Sequence, residues 1–431
     1  IVAINQLLCW DQHFAPAGAL RHIDFDPTLG TFTCARYPAS VSTAPVQAME
    51  ISLYPTYNAM SKMIYSDPEM RRDIICIGGT SQWPATIFRG IDQWGERYGY
   101  ILVDPIGGAI GAFSHADGIS TGGQARTPIC KMPNIEHTEQ DFPVLFLYRK
   151  EVPDSGGAGK YRGGMSAESC FIPHNTESIT QDTLSSGNAT PTGTGMMGGY
   201  PGTTNEYKYK RNSDVRERFE AGQLVDDISE LKGEDVTLQL RQIDFQQQPA
   251  DVYSVVCSAA GGFGDPLDRD TERVQVDIEE NAVTVEAARE IYGVIVDPDT
   301  LEVNQDATCK LRADTRHHRL QGYSGTPVRS NGEIVMHVTE NLDLRGDIDH
   351  EVYCCVKCQT EVGLLGSNYK EHCIRIDKAV SKSNLLIGEP SRFIDDTPEF
   401  RQFICPGCGT LIENEIAMRG EPVLMDIHIE K

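Results

Sequence analysis

Apolar residues early in the chain recur at helical spacing. Between residues 44 and 72 they are mostly three or four positions apart, which predicts a helix that buries one side. Pro55 interrupts this pattern and predicts a break or kink, because its ring removes a backbone hydrogen bond. A second, short helix is predicted over residues 286–293, where Gly293 is placed to cap the C-terminus.

From residue 73 to about residue 265 the pattern changes to short apolar runs separated by glycine turns. Residues 98–103 and 144–148 are rich in β-branched and aromatic side chains and predict strands. Residues 205–233 are polar and charged and predict a mobile loop or an exposed helix. Residues 308–320 are basic and polar and mark a candidate boundary.

Four cysteines near the C-terminus carry the clearest chemical signal. They form two Cys-x-x-Cys pairs, Cys355 with Cys358 and Cys405 with Cys408, separated by residues 359–404. Two such pairs predict a closed, tetrahedral four-thiolate zinc site with a structural role, since no position remains for a reacting water. The alternatives are unliganded core cysteines or a disulfide, and a neighbouring cysteine could replace a ligand. The neighbours in question are Cys354 and Cys373.

Together these patterns predict an α+β protein with a β-rich, glycine-rich main domain that includes helices, followed by a zinc-ribbon-like domain with the four-cysteine site. The predicted boundaries are 1–275 for the main domain, 276–320 for a helical connection and 321–431 for the zinc-binding domain. The chain begins at Ile1 without a methionine, within a predicted strand or buried helix, and is expected to be the later part of a longer polypeptide.

Charge narrows the classes of partner. The formal net charge is -24, with 62 acidic against 38 basic residues, which argues against nucleic acid and anionic membranes. No apolar stretch is long enough to predict a membrane span. The 13 cysteines are an odd number, and several stand in apolar contexts, which favours a reducing cytoplasm.

A glycine loop covers residues 153–164. Lys160 and Arg162 could place positive charge beside an anion, but the phosphate-loop pattern fails, because Asp154 occupies its first glycine and Tyr161 its Ser or Thr. A tight crossover that holds Arg162 in an ion pair is therefore favoured. Further glycine clusters lie at 104–111, 193–202 and 259–266 and indicate turns.

Residues 133–139 place two carboxylates and an imidazole close together. If the segment is extended, His137 and Glu139 share a face and Glu136 points away. Such a set could ligate a metal or transfer protons. The favoured alternative is that both glutamates pair with Lys160 or Arg162 of the glycine loop. These five residues are the only catalytic candidates, and no role is assigned among them.

In order along the chain, these motifs resemble the hydantoinase B and oxoprolinase family. The resemblance extends to about residue 316, and its most specific segment is Gly-Lys-Tyr-Arg-Gly-Gly at 159–164. The matching segments are 38–42, 107–109, 117–118, 134–136, Glu139, Pro143, 154–164, 198–202, 261–270 and 287–294. The family's Asp/His metal motif belongs to a part expected before these segments, so no catalytic centre is carried over.

The cysteine tail is similar to the acetophenone and acetone carboxylase branch of this family. The resemblance implies a subunit of an ATP-dependent ketone carboxylase, in which an enol or enol phosphate is carboxylated with CO2 from bicarbonate. It further implies a partner subunit of hydantoinase A type that binds ATP and Mg²⁺, and it allows for an additional small subunit. The knuckle faces near Leu364-Leu365 and Leu411-Ile412 are expected to dock on neighbours. The alternatives are a component of an ATP-dependent hydantoinase or 5-oxoprolinase, and a non-catalytic, zinc-stabilised scaffold subunit.

Overall fold

The structure, a computed structural model, describes residues 15–31, 33–41, 44–71, 83–124, 127–128, 130–346 and 350–429. The predicted element at residues 1–4, Ser42 of the first family segment and the apolar stretch around Cys76 lie outside these residues.

Short helices and many antiparallel strands alternate along the described chain. The α-helices are α1 (Pro16–Ala19), α2 (Ala44–Tyr65), α3 (Ile135–Asp141), α4 (Val215–Glu220), α5 (Thr271–Glu279), α6 (Val285–Glu290) and α7 (Gln305–Arg319). The strands are β1 (Ala85–Ile91), β2 (Arg97–Ile101), β3 (Gly123–Gln124), β4 (Thr127–Pro128), β5 (Val144–Glu151), β6 (Ala167–Pro173), β7 (Ile179–Leu184), β8 (Glu206–Arg211), β9 (Glu234–Asp235), β10 (Arg241–Gln247), β11 (Val252–Val256), β12 (Ile334–His337), β13 (Leu342–Gly346), β14 (Glu351–Cys355), β15 (Glu361–Leu364), β16 (Ile374–Ala379), β17 (Pro398–Ile404) and β18 (Leu411–Met418). Single 3-10 turns lie at Leu20–His22, Asp104–Gly107, Ile228–Glu230, Pro266–Asp268, Tyr369–His372, Val380–Lys382 and Pro390–Arg392.

The sheet content and the α+β class are as predicted. The predicted strands at 98–103 and 144–148 correspond to β2 and β5, and the predicted short helix corresponds to α6. The predicted break at Pro55 is wrong, because α2 continues through this residue as one helix. Pro55 is exposed, so water can bind the backbone carbonyl that its ring leaves without a hydrogen bond, while Tyr54 and Tyr57 nearby are buried.

Two antiparallel sheets pack face to face in the main body. One has the strand order β10-β7-β1-β2 and the other β5-β6-β11-β8-β9. Aromatic side chains fill the space between them: the rings of Phe88 and Phe171 lie 5.7 Å apart, and those of Phe171 and Tyr253 lie 5.4 Å apart. The hydroxyls of Tyr253 and Thr86 lie 2.6 Å apart and join the two sheets across this core.

The prediction for residues 205–233 is wrong in its first part. Residues 206–211 form β8, an inner strand, in which buried Tyr207 and Tyr209 alternate with charged residues. This period of two is a strand signal that the charge obscured. The rest of the segment, including α4, covers the outer face of the same sheet, where Val215 packs near Cys170.

The glycine clusters pack backbone against backbone. Those involved span residues 154–164, 193–202 and 259–266. A Cβ on Gly163 would lie 2.0 Å from the carbonyl oxygen of Ala260, and one on Gly199 would lie 2.0 Å from that of Gly262. Only glycine allows this approach. The packing supports the predicted crossover rather than a phosphate loop.

Two further antiparallel sheets form the C-terminal part, which we call the tail (residues 328–429). Their strand orders are β12-β13-β14-β15 and β16-β17-β18. The basic stretch 308–320, predicted as a boundary, lies largely in α7 and binds the main body: Arg316 pairs with Asp268 at 2.7 Å, and Arg312 donates to the carbonyl of Arg269 at 2.7 Å. No helix within the described ranges is long and apolar enough to cross a bilayer.

Candidate metal centre

The first cysteine pair lies in a tight turn that follows β14. The N–H of Cys355 donates to the carbonyl of Thr360 at 2.9 Å, and the N–H of Gln359 donates back to the carbonyl of Cys355 at 2.8 Å. Gln359 has a φ of 62°, in the left-handed region, which closes the turn. Cys355 and Cys358 are thereby held on the same side of the turn.

The second pair repeats this turn after β17. The N–H of Cys405 donates to the carbonyl of Thr410 at 2.8 Å, and the N–H of Gly409 donates to the carbonyl of Cys405 at 3.0 Å. Gly409 stands in the position of Gln359 and also has a positive φ, of 75°. The similarity of the two sequence motifs therefore reflects two equivalent knuckles.

The two knuckles bring all four sulfur atoms within 4.8 Å of one another. Cys355 Sγ lies 3.7 Å from Cys408 Sγ, and Cys358 Sγ lies 3.5 Å from Cys405 Sγ. Four sulfurs about 2.3 Å from a zinc ion at the corners of a tetrahedron are about 3.8 Å apart. All four cysteines are free thiols, so the disulfide alternative does not apply. The geometry fits a four-thiolate metal site.

The thiols also influence one another's ionisation. Hydrogen bonds within the cluster, first from Cys355, lower the pKa of Cys408 to about 6 and hold the pKa of Cys358 far below its ordinary value. In each of these two residues the sulfur lies 3.2 Å from a threonine hydroxyl, that of Thr360 or Thr410. One cysteine of each pair is thus favoured as a thiolate, the form that binds metals.

Cys354 and Cys373 do not belong to the cluster. The sulfur of Cys354 points to the carbonyl of Val352 at 3.7 Å, and that of Cys373 points to the carbonyl of Tyr369 at 3.5 Å. Burial raises the pKa of both thiols, to about 11 and about 12, which keeps them protonated. Neither replaces a ligand in the described arrangement.

The second knuckle rests on a buried ion pair of the main body. Asp265, which is fully buried, accepts from Arg319 at 2.7 Å and from the N–H of Leu411 at 3.0 Å. Burial opposes the charge of Asp265, but Arg319 outweighs it and lowers the pKa of the carboxyl. Arg319 also donates to the carbonyl of Gly409 at 3.1 Å. The four-cysteine cluster is therefore built into the contact between tail and main body.

The first knuckle has an anchor of its own. Lys357, between Cys355 and Cys358, pairs with Asp268, which Arg316 binds from α7. The expected outward docking faces are only partly present. Leu364 is 53% exposed, whereas Leu411 and Ile412 are buried, so that part of the expectation is wrong.

The predicted acidic cluster takes a different form from the one expected. Its residues lie in α3, so the extended conformation in which His137 and Glu139 would share a face is not formed. Glu139 accepts the N–H of Phe146 at 2.7 Å, and Glu136 and His137 are exposed. Within the described chain, neither glutamate pairs with the glycine loop; the predicted pairing is wrong, because other carboxylates lie closer to its cations.

Those carboxylates come from distant parts of the chain. Lys160 pairs with Glu340 of the tail at 2.6 Å, and Tyr65 of α2 donates to the same carboxylate at 2.7 Å. Arg162 is buried and pairs with Asp277 of α5 at 3.3 Å, which confirms the predicted ion pair.

The centre of this network is a residue that the sequence analysis did not single out. Arg269, 1% exposed, donates to Asp117 with both terminal nitrogens at 2.6 and 2.8 Å and to Asp277 at 2.7 Å. It also donates to the carbonyl of Lys160 at 3.2 Å. Its place in the 261–270 family segment, with Asp117 in another, was the available signal.

Comparison with known proteins shows that two family models match this chain, one over the main body and one over the tail. The model of the hydantoinase B/oxoprolinase family matches residues 1–266, and that of the acetone carboxylase gamma subunit matches residues 328–430. The acetophenone carboxylase delta subunit of Aromatoleum aromaticum is 28% identical over 70% of this chain and 46% of its own length. The acetone carboxylase alpha subunit of Xanthobacter autotrophicus is 29% identical over 54% of this chain and 32% of its own length. The chain thus spans less than half the length of either relative.

Solved structures agree in fold. The nucleotide-free structure of acetone carboxylase superposes with a TM-score of 0.57, at 24% identity over 64% of this chain and 38% of the other. The ATP-dependent caprolactamase of Pseudomonas jessenii superposes with a TM-score of 0.52, at 22% identity over 72% of this chain and 50% of the other.

Proposed function

The chain belongs to the hydantoinase B/oxoprolinase family, and we propose that it is a subunit of an ATP-dependent ketone carboxylase of the acetone and acetophenone carboxylase type. The carrying observation is that a gamma-subunit tail and a hydantoinase B body occur in one chain and share a buried contact, in which Asp265 of the body binds Leu411 beside the metal centre.

In the proposed reaction, an ATP-binding partner of hydantoinase A type, with Mg²⁺, phosphorylates the enol, bicarbonate or both. The enolate carbon then forms the new bond to CO2, and phosphate leaves. Such chemistry needs a rigid, water-poor site, because enolates and carboxyphosphate are readily lost to water. The interlocked glycine backbones and the Arg269 network provide rigidity of this kind.

The five candidate residues fit this role unequally. We propose that Arg162 and Lys160 maintain the shape and polarity of the catalytic region, since each is already held by a carboxylate. Glu139 has a similar structural role through the N–H of Phe146. The exposed residues Glu136 and His137 are free to face a partner subunit.

We further propose that Cys355, Cys358, Cys405 and Cys408 hold one zinc ion with a structural role. Metal analysis of the full chain tests this. Zinc should be stoichiometric in the natural protein and in Cys354→Ser, a buried neighbour outside the cluster, and absent from Cys408→Ser. Stoichiometric zinc in Cys408→Ser, or no zinc in the natural chain, would contradict the proposal.

The function itself is tested with the full chain co-expressed with its ATP-binding partner. Incorporation of labelled bicarbonate into an acid-stable product should require ATP and a ketone, acetone or acetophenone. ATP-dependent opening of a lactam, a hydantoin or 5-oxoproline, without ketone carboxylation, would instead establish the alternative suggested by the caprolactamase relative. Full activity of the partner without this chain would favour the scaffold alternative.

The described cysteines are free thiols, which supports a cytoplasmic location.

A further inference from the structure

A cavity of about 510 Å³ lies between the main body and the tail. One wall is α2, another is the glycine-containing loop at 192–196, and the third is formed by β18 and the extended segment after it. Cavities of this size are typical of small-molecule sites in proteins. None of the candidate catalytic residues and none of the four clustered cysteines lines it.

Buried and partly buried charges lie along one side of the cavity. Lys62 of α2 pairs with Glu413 at 2.8 Å and with Asp426, and Lys370 pairs with Glu415 at 3.1 Å and with Asp426 at 3.3 Å. A third cation, which is fully buried next to these residues, pairs with Glu415 at 3.2 Å. This residue is Arg401. Three cations thus balance three carboxylates, so the cavity favours neither an anion nor a cation.

Lys62 retains one hydrogen-bond donor. An ammonium group has three N–H donors. That of Lys370 contacts three acceptors, namely Glu415, Asp426 and the carbonyl of Leu424. In the described part of the chain, that of Lys62 contacts only the two carboxylates of Glu413 and Asp426. Its third N–H is available to an acceptor in the cavity.

Lys62 cannot act as a nucleophile toward such an acceptor. Burial opposes its charge, but the carboxylates of Glu413 and Asp426 outweigh burial and raise its pKa well above the ordinary value. The ammonium therefore keeps its proton at neutral pH and can donate a hydrogen bond, whereas imine formation would require the free amine.

The remaining walls are largely apolar. Tyr54 and Ala59 line the cavity from α2, Met196 from the loop, and Ile416 and Leu424 from the tail. The polar side chains nearby are partly satisfied already; the amide of Asn58, for example, donates to the hydroxyl of Thr194 at 2.8 Å. A ligand here must therefore combine an apolar body with an acceptor group at one end.

We propose that this cavity binds a neutral carbonyl compound with an apolar body, whose oxygen accepts a hydrogen bond from Lys62. A ketone and a cyclic amide share this chemistry. The choice of a ketone as the ligand rests on the proposed function. It extends that function by placing a site for the neutral substrate between the main body and the tail. The cyclic amide would correspond to the alternative function.

Calorimetric titration of the full chain with acetophenone and with ε-caprolactam, in the absence of nucleotide, tests the proposal. Ala59→Phe fills the cavity from an exposed position of α2, so the fold should persist. Met63→Phe is the matched control, since Met63 lies on the same helix, is 72% exposed and does not line the cavity. We expect Ala59→Phe to weaken binding at least tenfold and Met63→Phe to leave it unchanged.

A second readout addresses Lys62 itself. The carbonyl ¹³C resonance of bound, labelled probe should move downfield in the natural protein, and Lys62→Met should remove the shift. Binding of neither probe, or equal binding by Ala59→Phe, overturns the proposal even where ketone carboxylation is observed. Binding of ε-caprolactam alone supports the cavity as a carbonyl site while contradicting the ketone function.

Discussion

Replacing Arg319 with methionine should weaken both the tail contact and the metal centre. Arg319 is the only cation that Asp265 meets among the described ion pairs, and its side chain is 10% exposed. Methionine retains much of the apolar stem and removes the charge. Asp265 then stays buried with two backbone donors, the N–H groups of Leu267 at 3.1 Å and Leu411 at 3.0 Å.

The expected loss of stability can be bounded from this geometry. Leaving one partner of a buried ion pair unpaired costs about 3–5 kcal/mol. The carboxylate of Asp265 can escape this cost by taking up a proton. At pH 7 protonation costs about 4 kcal/mol, because pH 7 lies roughly three units above the ordinary pKa of aspartate and each unit corresponds to about 1.4 kcal/mol. The two backbone donors reduce the penalty further, so we expect a loss of about 3 kcal/mol in the free energy of unfolding.

Denaturant unfolding of the zinc-loaded chain measures this loss, and competition with a chromogenic chelator measures zinc affinity. Arg419→Met is the matched control, because Arg419 is 70% exposed and pairs with Glu399 at 2.7 Å on the surface. Exposed pairs of this kind contribute about 0–1 kcal/mol. Adding Asp265→Asn to Arg319→Met should restore at least half of the loss, since the amide oxygen still accepts from the backbone and carries no charge.

Equal stability of Arg319→Met and Arg419→Met would refute this reasoning. It would mean that Asp265 is solvated or protonated in the folded protein. Loss of stability without any change in zinc affinity would separate the two halves of the argument, and would show that the hydrogen bond from Arg319 to Gly409 does not support the second knuckle.

Three further outcomes are expected. The pKa of Asp265 is lowered on folding, so its carboxylate stabilises the folded protein above its ordinary pKa of about 4, and this stabilisation is lost as the pH falls below that value. Between pH 7 and pH 3, the free energy of unfolding should therefore fall less in Asp265→Asn than in the natural protein. Gly409→Ala should lower the free energy of unfolding by more than the roughly 1–2 kcal/mol of left-handed strain and should weaken zinc binding, because the added Cβ would lie 2.3 Å from a carbonyl oxygen of α7. Gly366→Ala is the control, since Gly366 also has a positive φ but nothing lies within 4 Å of its Cβ position, so only the strain should appear. Equal losses in the two variants would contradict this prediction. Arg269→Ala should lower the free energy of unfolding by about 3–5 kcal/mol, and Arg162→Ala should lower it by clearly less, because Asp277, the partner of Arg162, is also bound by Arg269. A lower melting temperature for Arg162→Ala than for Arg269→Ala would contradict this.

Local patterns were sufficient for several elements of this protein. The helical spacing along α2 and the aromatic runs of β2 and β5 predicted the correct class of element, because each depends on which face of a short segment is buried. Where charge and period disagreed, as in β8, the period was the better guide. Helix α3 was missed because a seven-residue helix with one buried side chain leaves almost no apolar pattern.

The four clustered cysteines and the family resemblance were also predicted from the sequence alone. Two residues between cysteines constrain a turn so tightly that the spacing itself predicts a knuckle, and the structure brings the two knuckles together. The partners of Lys160 and Arg162 could not be predicted, because Glu340 and Asp277 lie more than a hundred positions away in the chain. Burial of Leu411, the role of Arg269 and the cavity beside Lys62 likewise depend on how the tail packs against the body. Ion pairs and cavities of this kind form between segments that are far apart in the sequence and meet only in the folded chain, so the local sequence pattern around each residue cannot predict its partner.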